Sequence, residues 1–236
     1  MTRPVALGDG IWSITAGSFP SNSYILSDGS AEGAVLIDVG LDEAAIIAGL
    51  QELGRTPSAI YCTHGHFDHV GSAASLQRRY DLDVFLHAAD AKTAKANNLL
   101  LMLMKSSERV ESPSFTFIED GHSIPFRDDR LRFAHAPGHT PGSCVISWGH
   151  HLFTGDTLFS RGVGLAKTPG EDLAQLRRTI LGLWDGLAGK SVNPGHGPSS
   201  TGDEVRRSNL ALRAFLGMAE HGMTGLALGD WSGGSV

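Results

Sequence analysis

The sequence has 236 residues, 41% of them hydrophobic, so it is long enough to bury one large core or two small ones. The formal charge of −6 and the pI near 6.0 argue against a nucleic-acid backbone as the main partner, because no basic stripe stands out. No run approaches the ~20 apolar residues of a membrane span, and the N-terminus lacks the apolar core of a secretory signal. We therefore expect one cytoplasmic domain over residues 1–228, without a nucleic-acid or membrane partner.

Short apolar runs separated by turn residues open the chain. Residues 11–14, 23–26 and 34–38 each have the length of a strand, and their spacing predicts an antiparallel meander. A helix is predicted over residues 42–53, beginning at an aspartate that suits an N-cap. The apolar face of this helix should cover the sheet.

The loop richest in metal-binding side chains comes next. It is Thr63-His64-Gly65-His66-Phe67-Asp68-His69, between a strand predicted over residues 59–62 and a helix predicted over residues 70–76. Neutral imidazoles and a carboxylate suit zinc or a similar divalent metal. Four such groups this close together would repel one another or stay unsatisfied without a cation. The loop therefore predicts a metal site.

The order of the ligands in this loop indicates two metal positions. His64 and His66 can point the same way along extended backbone, whereas Asp68 and His69 are adjacent and diverge towards a second position. Asp38 ends the third strand, where it is either an ordinary turn residue or an acceptor that orients a ligand histidine. The sequence leaves both roles of Asp38 open.

An apolar helix is predicted beyond the metal loop. A strand over residues 84–86 leads into a helix over residues 88–105, and residues 99–104 are apolar on every face of that helix. Either both sides are covered, as in a core or dimer helix, or one side is exposed as a lid over the metal cleft. Residues 106–114 are predicted to form a polar connection.

The second half of the chain contains strands at regular spacing, followed by a helix over residues 171–187. The predicted strands are residues 115–118, 131–134, 144–148 and 151–154. Strands flanked by helices in both halves predict two sheets packed face to face, with helices outside. Cys62 and Cys144 form no C-x-x-C pattern and are predicted to be buried free thiols. Residues 229–236 are predicted to be a disordered tail.

Three further candidate ligands follow short strands in this half. Pro137-Gly138-His139 and Pro194-Gly195-His196 each place a histidine after a Pro-Gly turn, and Thr154-Gly155-Asp156-Thr157 places a carboxylate after a glycine. Glycine lets the backbone come close to an ion, and proline fixes the approach. With the first loop, the chain supplies five histidines and two aspartates, enough for two metals with an open coordination position.

This ordered set, H-x-H-x-D-H followed by P-G-H, G-D and P-G-H over residues 11–197, resembles the metallo-β-lactamase superfamily. The resemblance implies an α/β fold of the αββα type, with two mixed β-sheets, helices on both outer faces and the metal site at one edge. It also implies two metal ions, zinc by preference, with iron or manganese as alternatives. In the implied ligand set one metal is held by His64, His66 and His139, the other by Asp68, His69 and His196, and Asp156 bridges them.

Residues 153–164 look most like the glyoxalase II branch, which cleaves thioesters of glutathione. That branch carries Gly-Cys-Gly and a basic residue where this chain has Gly162-Val163-Gly164-Leu165. The long C-terminal helical domain of the branch, which contributes glutathione contacts, is reduced here to one helix predicted over residues 203–220. These departures leave another thioester, an ester or a lactone open as the substrate.

The resemblance implies a metal-dependent hydrolase whose nucleophile is a metal-bridging hydroxide. Asp68 is a candidate to orient that hydroxide or carry its proton. Arg161 and Lys167 are candidates to pair with an anionic group of a small-molecule substrate. We expect a hydrophobic acyl group in the substrate if residues 99–104 form a lid, and a homodimer if they form an interface.

A persulfide dioxygenase of the same fold, with a single iron held by two histidines and one aspartate, is the alternative activity. Such enzymes typically carry Arg-Thr-Asp where this chain has Leu165-Ala166-Lys167. Flavodiiron relatives carry a carboxylate in place of His66, and RNA-processing relatives do not suit the acidic balance. The histidines outside the pattern are interpreted as structural or surface residues; they are His87, His122, His135, His150, His151 and His221.

Overall fold

The computed structural model describes residues 2–165 and 168–218, and a seven-stranded sheet occupies the first half of the chain. Its strands, in the order in which they pair, are β1 (Val5–Gly8), β2 (Ile11–Ala16), β3 (Ser21–Ser27), β4 (Gly33–Ile37), β5 (Thr56–Tyr61), β6 (Asp83–His87) and β7 (Phe115–Ile118). β1 to β4 pair antiparallel, which confirms the predicted meander, and β4 to β7 pair parallel. β1 was not predicted, because it is a short, exposed edge strand.

A six-stranded sheet packs against the first one. Its strands are β8 (Ser123–Phe126), β9 (Asp129–His135), β10 (Cys144–Trp148), β11 (His151–Gly155), β12 (Ser191–Pro194) and β13 (Ser200–Thr201). They pair in the order β13-β12-β11-β10-β9-β8, and β11 with β12 is the parallel pair. Both sheets are therefore mixed.

Helices cover the outer faces of the two sheets. They are α1 (Glu43–Glu52), α2 (Phe67–Val70), α3 (Ala73–Tyr80), α4 (Ala91–Lys95), α5 (Asn97–Leu103), α6 (Leu173–Leu183), α7 (Gly202–Ser208) and α8 (Leu210–Phe215). Single 3₁₀ turns lie at Ala88–Asp90 and Asp185–Leu187. In the part of the chain that the structure describes, no helix is long and apolar enough to cross a membrane.

Three clusters of buried apolar side chains lie between the layers of the fold. Ile25 and Leu36 pack with α1 and α3 on one face of the first sheet, while their strand neighbours, such as Leu26, pack with Phe133 and Phe153 of the second sheet. This alternation follows from the two-residue period of a strand. The third cluster joins the second sheet to α6, α7 and α8. The αββα sandwich is confirmed, and Cys62 and Cys144 are buried free thiols, as predicted.

Two long predicted helices are broken. The helix expected over residues 88–105 is a 3₁₀ turn followed by α4 and α5, with the break at Ala96, next to Asn97, whose side-chain amide donates to the carbonyl of Gly65. The helix expected over residues 203–220 divides at Asn209, whose buried side chain accepts from the Leu212 amide and begins α8. Residues 219–220 and the predicted tail over 229–236 lie outside the described residues.

Candidate metal centre

The seven candidate ligands meet at one end of the sandwich, beyond the strand ends that carry them. The loop after β5 and the short helix α2 carry four of them, and the segments after β9, β11 and β12 carry the others. Six of the ligands form two groups, and within each group the ligand atoms lie within 4.8 Å of one another. One group is His64, His66 and His139, and the other is Asp68, His69 and His196.

Asp156 lies between the two groups. Its Oδ1 atom is 3.4 Å from Nε2 of His69, and its Oδ2 atom is 3.5 Å from Nε2 of both His139 and His196. One carboxylate therefore faces histidines of both groups, which is the position expected of a bridging ligand. The structure brings together all seven candidate ligands.

Several atoms of this centre are buried without a hydrogen-bond partner among residues 2–165 and 168–218, including Nε2 of His64, Nε2 of His69 and Oδ1 of Asp156. Nδ1 of His66 lies 3.0 Å from Nε2 of His139. The ligand atoms of a tetrahedral zinc ion with bonds of ~2.0 Å are separated by ~3.3 Å. Since buried polar atoms without partners are costly, this set of imidazoles and carboxylates fits a divalent metal.

Asp38 orients two of the candidate ligands. Its Oδ2 atom lies 2.9 Å from Nδ1 of His69 and accepts a hydrogen bond from the hydroxyl of Thr63. That hydroxyl oxygen is in turn 3.1 Å from Nδ1 of His64. Because a carboxylate can only accept, Asp38 places the proton of His69 on Nδ1 and leaves Nε2 free to face the metal position. Of the two roles open to Asp38, the structure supports the orienting acceptor.

Asp90 joins the first ligand loop to the turn that carries His139, and sequence reasoning missed it. Its buried carboxylate accepts from the amide of Gly65 at 2.7 Å, the hydroxyl of Thr140 at 2.8 Å and the amide of Gly142 at 2.7 Å. These bonds hold the two ligand-bearing segments at a fixed separation. The only signal in the sequence was a carboxylate shortly after the end of a strand.

The start of the first sheet supports the last ligand. Nδ1 of His196 lies 2.6 Å from the carbonyl oxygen of Pro20, so the ring proton is on Nδ1, and Nε2 faces Oδ2 of Asp68 at 3.2 Å. The hydroxyl of Tyr24 donates to the carbonyl of Pro194 at 2.6 Å. The N-terminal strands therefore hold a ligand that is distant in sequence.

Two glycines beside the ligands are required by close approach. At Gly195 an added Cβ would overlap the Oδ1 atom of Asp156 and the ring of His69. At Gly138 it would overlap the backbone of Leu176, and the φ of +139° there is one that other residues rarely adopt. The predicted reason for these glycines, a close approach of the backbone to the metal position, agrees with the geometry at Gly195, whereas Gly138 is required by its contact with α6.

A model of the metallo-beta-lactamase superfamily matches residues 16–203. The chain belongs to the metallo-β-lactamase superfamily. Hydroxyacylglutathione hydrolase GloC of Haemophilus influenzae is 28% identical to it over 212 residues, which are 84% of this chain and 95% of GloC. The "Probable polyketide biosynthesis zinc-dependent hydrolase BaeB" of Bacillus velezensis is 30% identical over 176 residues, which are 73% of this chain and 71% of BaeB.

Among solved structures, TTHA1623 in a di-iron-bound form matches with a TM-score of 0.74 and 33% identity, covering 84% of this chain and 98% of that chain. The names of these relatives include a zinc-dependent hydrolase and a di-iron form, so the superfamily binds metal ions of more than one kind. The superfamily comparison agrees with the donor set described above.

His66 and His196, which belong to different ligand groups, differ in the direction of their pKa shifts. Burial, together with neighbouring imidazoles, lowers the pKa of His66 to about 4. Burial also opposes the charged form of His196, but the carboxylates of Asp156 and Asp68 raise its pKa to about 10. The same carboxylates and Asp38 outweigh burial at His69 and raise its pKa well above the usual value. Without metal, the second group therefore holds protons that a metal has to displace.

One of the two candidate substrate residues, Arg161, lies in the loop after β11. Asn209 holds this loop, because its amide donates to the carbonyl of Gly162 at 2.9 Å and its oxygen accepts from the Gly162 amide at 3.1 Å. The ring of Phe159 lies 6.3 Å from that of His196 and nearly parallel to it, so the loop borders the metal centre. Arg161 is exposed in this loop, and Lys167 lies outside the described residues.

Part of the apolar run at residues 99–104 is exposed. Leu101 is fully buried, and the exposed side chains, which we call the apolar strip, are Leu99, Met102, Leu103 and Met104. The Asn97 amide donates to the carbonyl of Gly65 at 2.9 Å, so α5 begins against the first ligand loop. The alternative in which the rest of the chain buries both sides of this helix is therefore wrong.

Proposed function

We propose that this chain is a metal-dependent hydrolase that cleaves a thioester, an ester or a lactone of a small molecule. The observation that carries the proposal is the carboxylate of Asp156, which faces His69 with one oxygen and both His139 and His196 with the other. It joins the two ligand groups into one centre. In this proposal two metals, zinc by preference, are held by His64, His66 and His139, by Asp68, His69 and His196, and by Asp156 between them.

Metals bound there would lower the pKa of a water molecule and polarise a carbonyl oxygen. The protein prepares the centre for them, because Asp38 and the carbonyl of Pro20 keep the ring protons of His69 and His196 on Nδ1. The side chain of His196 is 32% exposed and that of Asp68 is 13% exposed, so substrate approaches from their side. Asp68 is there to orient the nucleophile or accept its proton.

The relatives support hydrolysis, since GloC is named a hydroxyacylglutathione hydrolase and BaeB a zinc-dependent hydrolase. Metal analysis of the purified chain, combined with hydrolysis of lactoylglutathione and simple acyl thioesters, tests the proposal. We expect close to two transition metals per chain and complete loss of hydrolysis on chelation. One iron per chain, with oxygen consumed on adding a persulfide and no hydrolysis, would instead establish the dioxygenase.

We propose further that a hydrophobic acyl group lies against the apolar strip, since its helix, α5, begins against the first ligand loop. Burying one methylene is worth ~0.8 kcal/mol, so rates should rise a few-fold per carbon until the surface is filled. In the same proposal Arg161, which is exposed in the loop after β11, pairs with an anionic group of the substrate.

Rates across a series of acyl chain lengths test the substrate proposal. Met102→Ser and Leu103→Ser should flatten the series, because they remove exposed apolar surface without entering the core. Val5→Ser is the matched control, since Val5 is equally exposed but lies on the opposite edge strand of the first sheet. If the strip variants changed only the sedimentation behaviour of the chain, the strip would be a homodimer surface.

A further inference from the structure

A second cluster of metal-binding side chains lies at the other end of the sandwich. Asp9 is in the turn between β1 and β2 of the first sheet, and His150 and His151 are at the turn between β10 and β11 of the second. β11 runs from His151 to Gly155, next to Asp156, and a strand rises ~3.3 Å per residue. The cluster is therefore separated from the main centre by roughly the length of that strand.

The three side chains are spaced for a shared cation. Nε2 of His151 lies 3.1 Å from Oδ2 of Asp9, and Nε2 of His150 lies 3.8 Å from the same oxygen. All three ligand atoms are within 4.8 Å of one another, and the two rings are 4.2 Å apart. These separations bracket the ~3.3 Å between ligands of a tetrahedral zinc ion. The exposed side chains of Asp9 (54%) and His150 (56%) can make the remaining adjustment.

The frame around the cluster is fixed by neighbouring contacts. His151 pairs with Trp148 across the β10–β11 hairpin, and its ring lies parallel to the indole ring. Arg127 packs over the same indole and donates to the backbone carbonyl of Asp9, so it holds the turn without occupying the carboxylate. Within the described residues, the ion-pair contacts of the Asp9 carboxylate are those to the two histidines.

We propose that Asp9, His150 and His151 bind a divalent transition metal, zinc by preference, with water completing the coordination. Two imidazoles and one carboxylate are a donor set that zinc accepts in proteins. Because the ligands come from turns of both sheets, the metal would join the two sheets at the end opposite the main centre. This assigns a shared role to two histidines that the sequence pattern had left as structural or surface residues.

The affinity should be moderate. When Nε2 of His151 binds a metal, the ring proton is on Nδ1, which is buried without an acceptor in the described part of the chain. The guanidinium of Arg127 is also close enough to oppose a cation. Both effects point to a dissociation constant in the micromolar range, weaker than that of a buried, fully oriented site.

Isothermal titration of zinc into the full chain, with the main centre already loaded, tests this site. We expect one additional equivalent, and at least about tenfold weaker binding of it in both Asp9→Asn and His150→Ala, since each removes one of three ligands. Asp128→Asn is the matched control, because Asp128 is exposed on the neighbouring β8–β9 turn but is not in the cluster. The control should bind like the wild type.

Two results would overturn the site. One is the absence of any additional equivalent in the wild-type chain, and the other is an additional equivalent that both variants retain with unchanged affinity. The readout is metal bound at the second cluster, so it does not depend on whether the main centre hydrolyses any substrate. Asp9 and His150 are exposed, and their replacement should leave the fold intact.

Discussion

The two histidine and carboxylate clusters lie at opposite ends of one sandwich and differ in what surrounds them. At the main centre, Asp38 holds the ring of His69, and the carbonyl of Pro20 holds that of His196. At the second cluster, the Nδ1 atom of His151 has no such partner in the described residues, and the other two side chains are more than half exposed. The ligands of the main centre are therefore held by hydrogen bonds from neighbouring groups, whereas the second cluster lies at the surface and lacks this support.

This difference shows that the identity and spacing of the ligands are not enough to predict which of two sites binds metal more tightly. Both clusters offer imidazoles and carboxylate within a few ångströms. Only the main centre combines burial with acceptors that set the tautomer of its rings, and such outer contacts change metal affinity by about 10- to 100-fold. We therefore expect the main centre to respond strongly to changes behind its ligands and the second cluster to respond only to changes of the ligands.

The largest effect is expected from Asp38→Ala. This change leaves the Thr63 amide and the His69 ring without their buried acceptor and puts alanine at a φ of +54°. The metal-free chain should lose about 3–5 kcal/mol of unfolding free energy, and the loaded chain should lose metal. Denaturant unfolding and metal analysis measure the two effects.

Asp38→Asn is the matched control for this prediction. Asparagine tolerates the left-handed conformation and keeps one acceptor oxygen, so it should retain most of the stability and lose mainly metal affinity. If Asp38→Ala were as stable as the wild type and kept its metal, Asp38 would not hold the ligand loop and the ring of His69 in place.

The next effect concerns the two halves of the main centre. His66→Ala should release the metal of one group, and His196→Ala should release the metal of the other, because the two residues belong to different groups. Metal analysis of each variant by stoichiometry, followed by hydrolysis assays, checks this. Loss of the same metal from both variants, with the other metal retained, would contradict the division of ligands.

A smaller effect should separate the two groups by pH. The pKa of about 10 at His196 lies above neutral pH, so a metal must displace a proton there, and affinity should rise as pH increases from about 7 towards 9. The pKa of about 4 at His66 lies below neutral pH, and burial lowers the pKa of His64 well below its usual value, so protons on these two ligands should not compete with a metal over that range.

Buffered zinc titrations measure this difference. His66→Ala isolates the second group, and His196→Ala isolates the first, so each can be titrated by itself at several pH values. We expect zinc affinity to depend steeply on pH in His66→Ala and only weakly in His196→Ala. Equal slopes would show that the carboxylates around His196 do not hold its proton.

The metal ligands could be predicted from the sequence because they lie in local motifs. His64, His66, Asp68 and His69 are within six positions of one another, and the Pro-Gly-His turns mark the late histidines. Such signals depend on backbone constraints within a few residues, so they can be read without the fold. The αββα layers were predictable for the same reason, because strand alternation and the family motif set are properties of the sequence.

Contacts between distant segments could not be predicted. Asp90 bonds to Gly142 and Pro20 contacts His196 only because the two sheets bring those loops together. The Asp9–His151 contact joins residues 142 positions apart, and neither residue lies in a recognisable motif. At the helix break, Asn209 combines a local cap on the Leu212 amide with a bond to a loop some 50 positions earlier in the chain, and the second contact could not be predicted.

The smallest effect is expected from His150→Ala in the metal-free chain. The unfolding free energy should change by less than about 0.5 kcal/mol, because this side chain is more than half exposed and 3.8 Å from its nearest carboxylate oxygen. With zinc in excess over the main centre, the wild-type chain should gain more thermal stability than the variant, since a ligand that binds only the folded state stabilises it. Calorimetric unfolding with and without zinc measures both. A loss of stability without metal, like that expected for Asp38→Ala, would mean that His150 contributes to the stability of the fold. The two clusters would then not differ in the way described above.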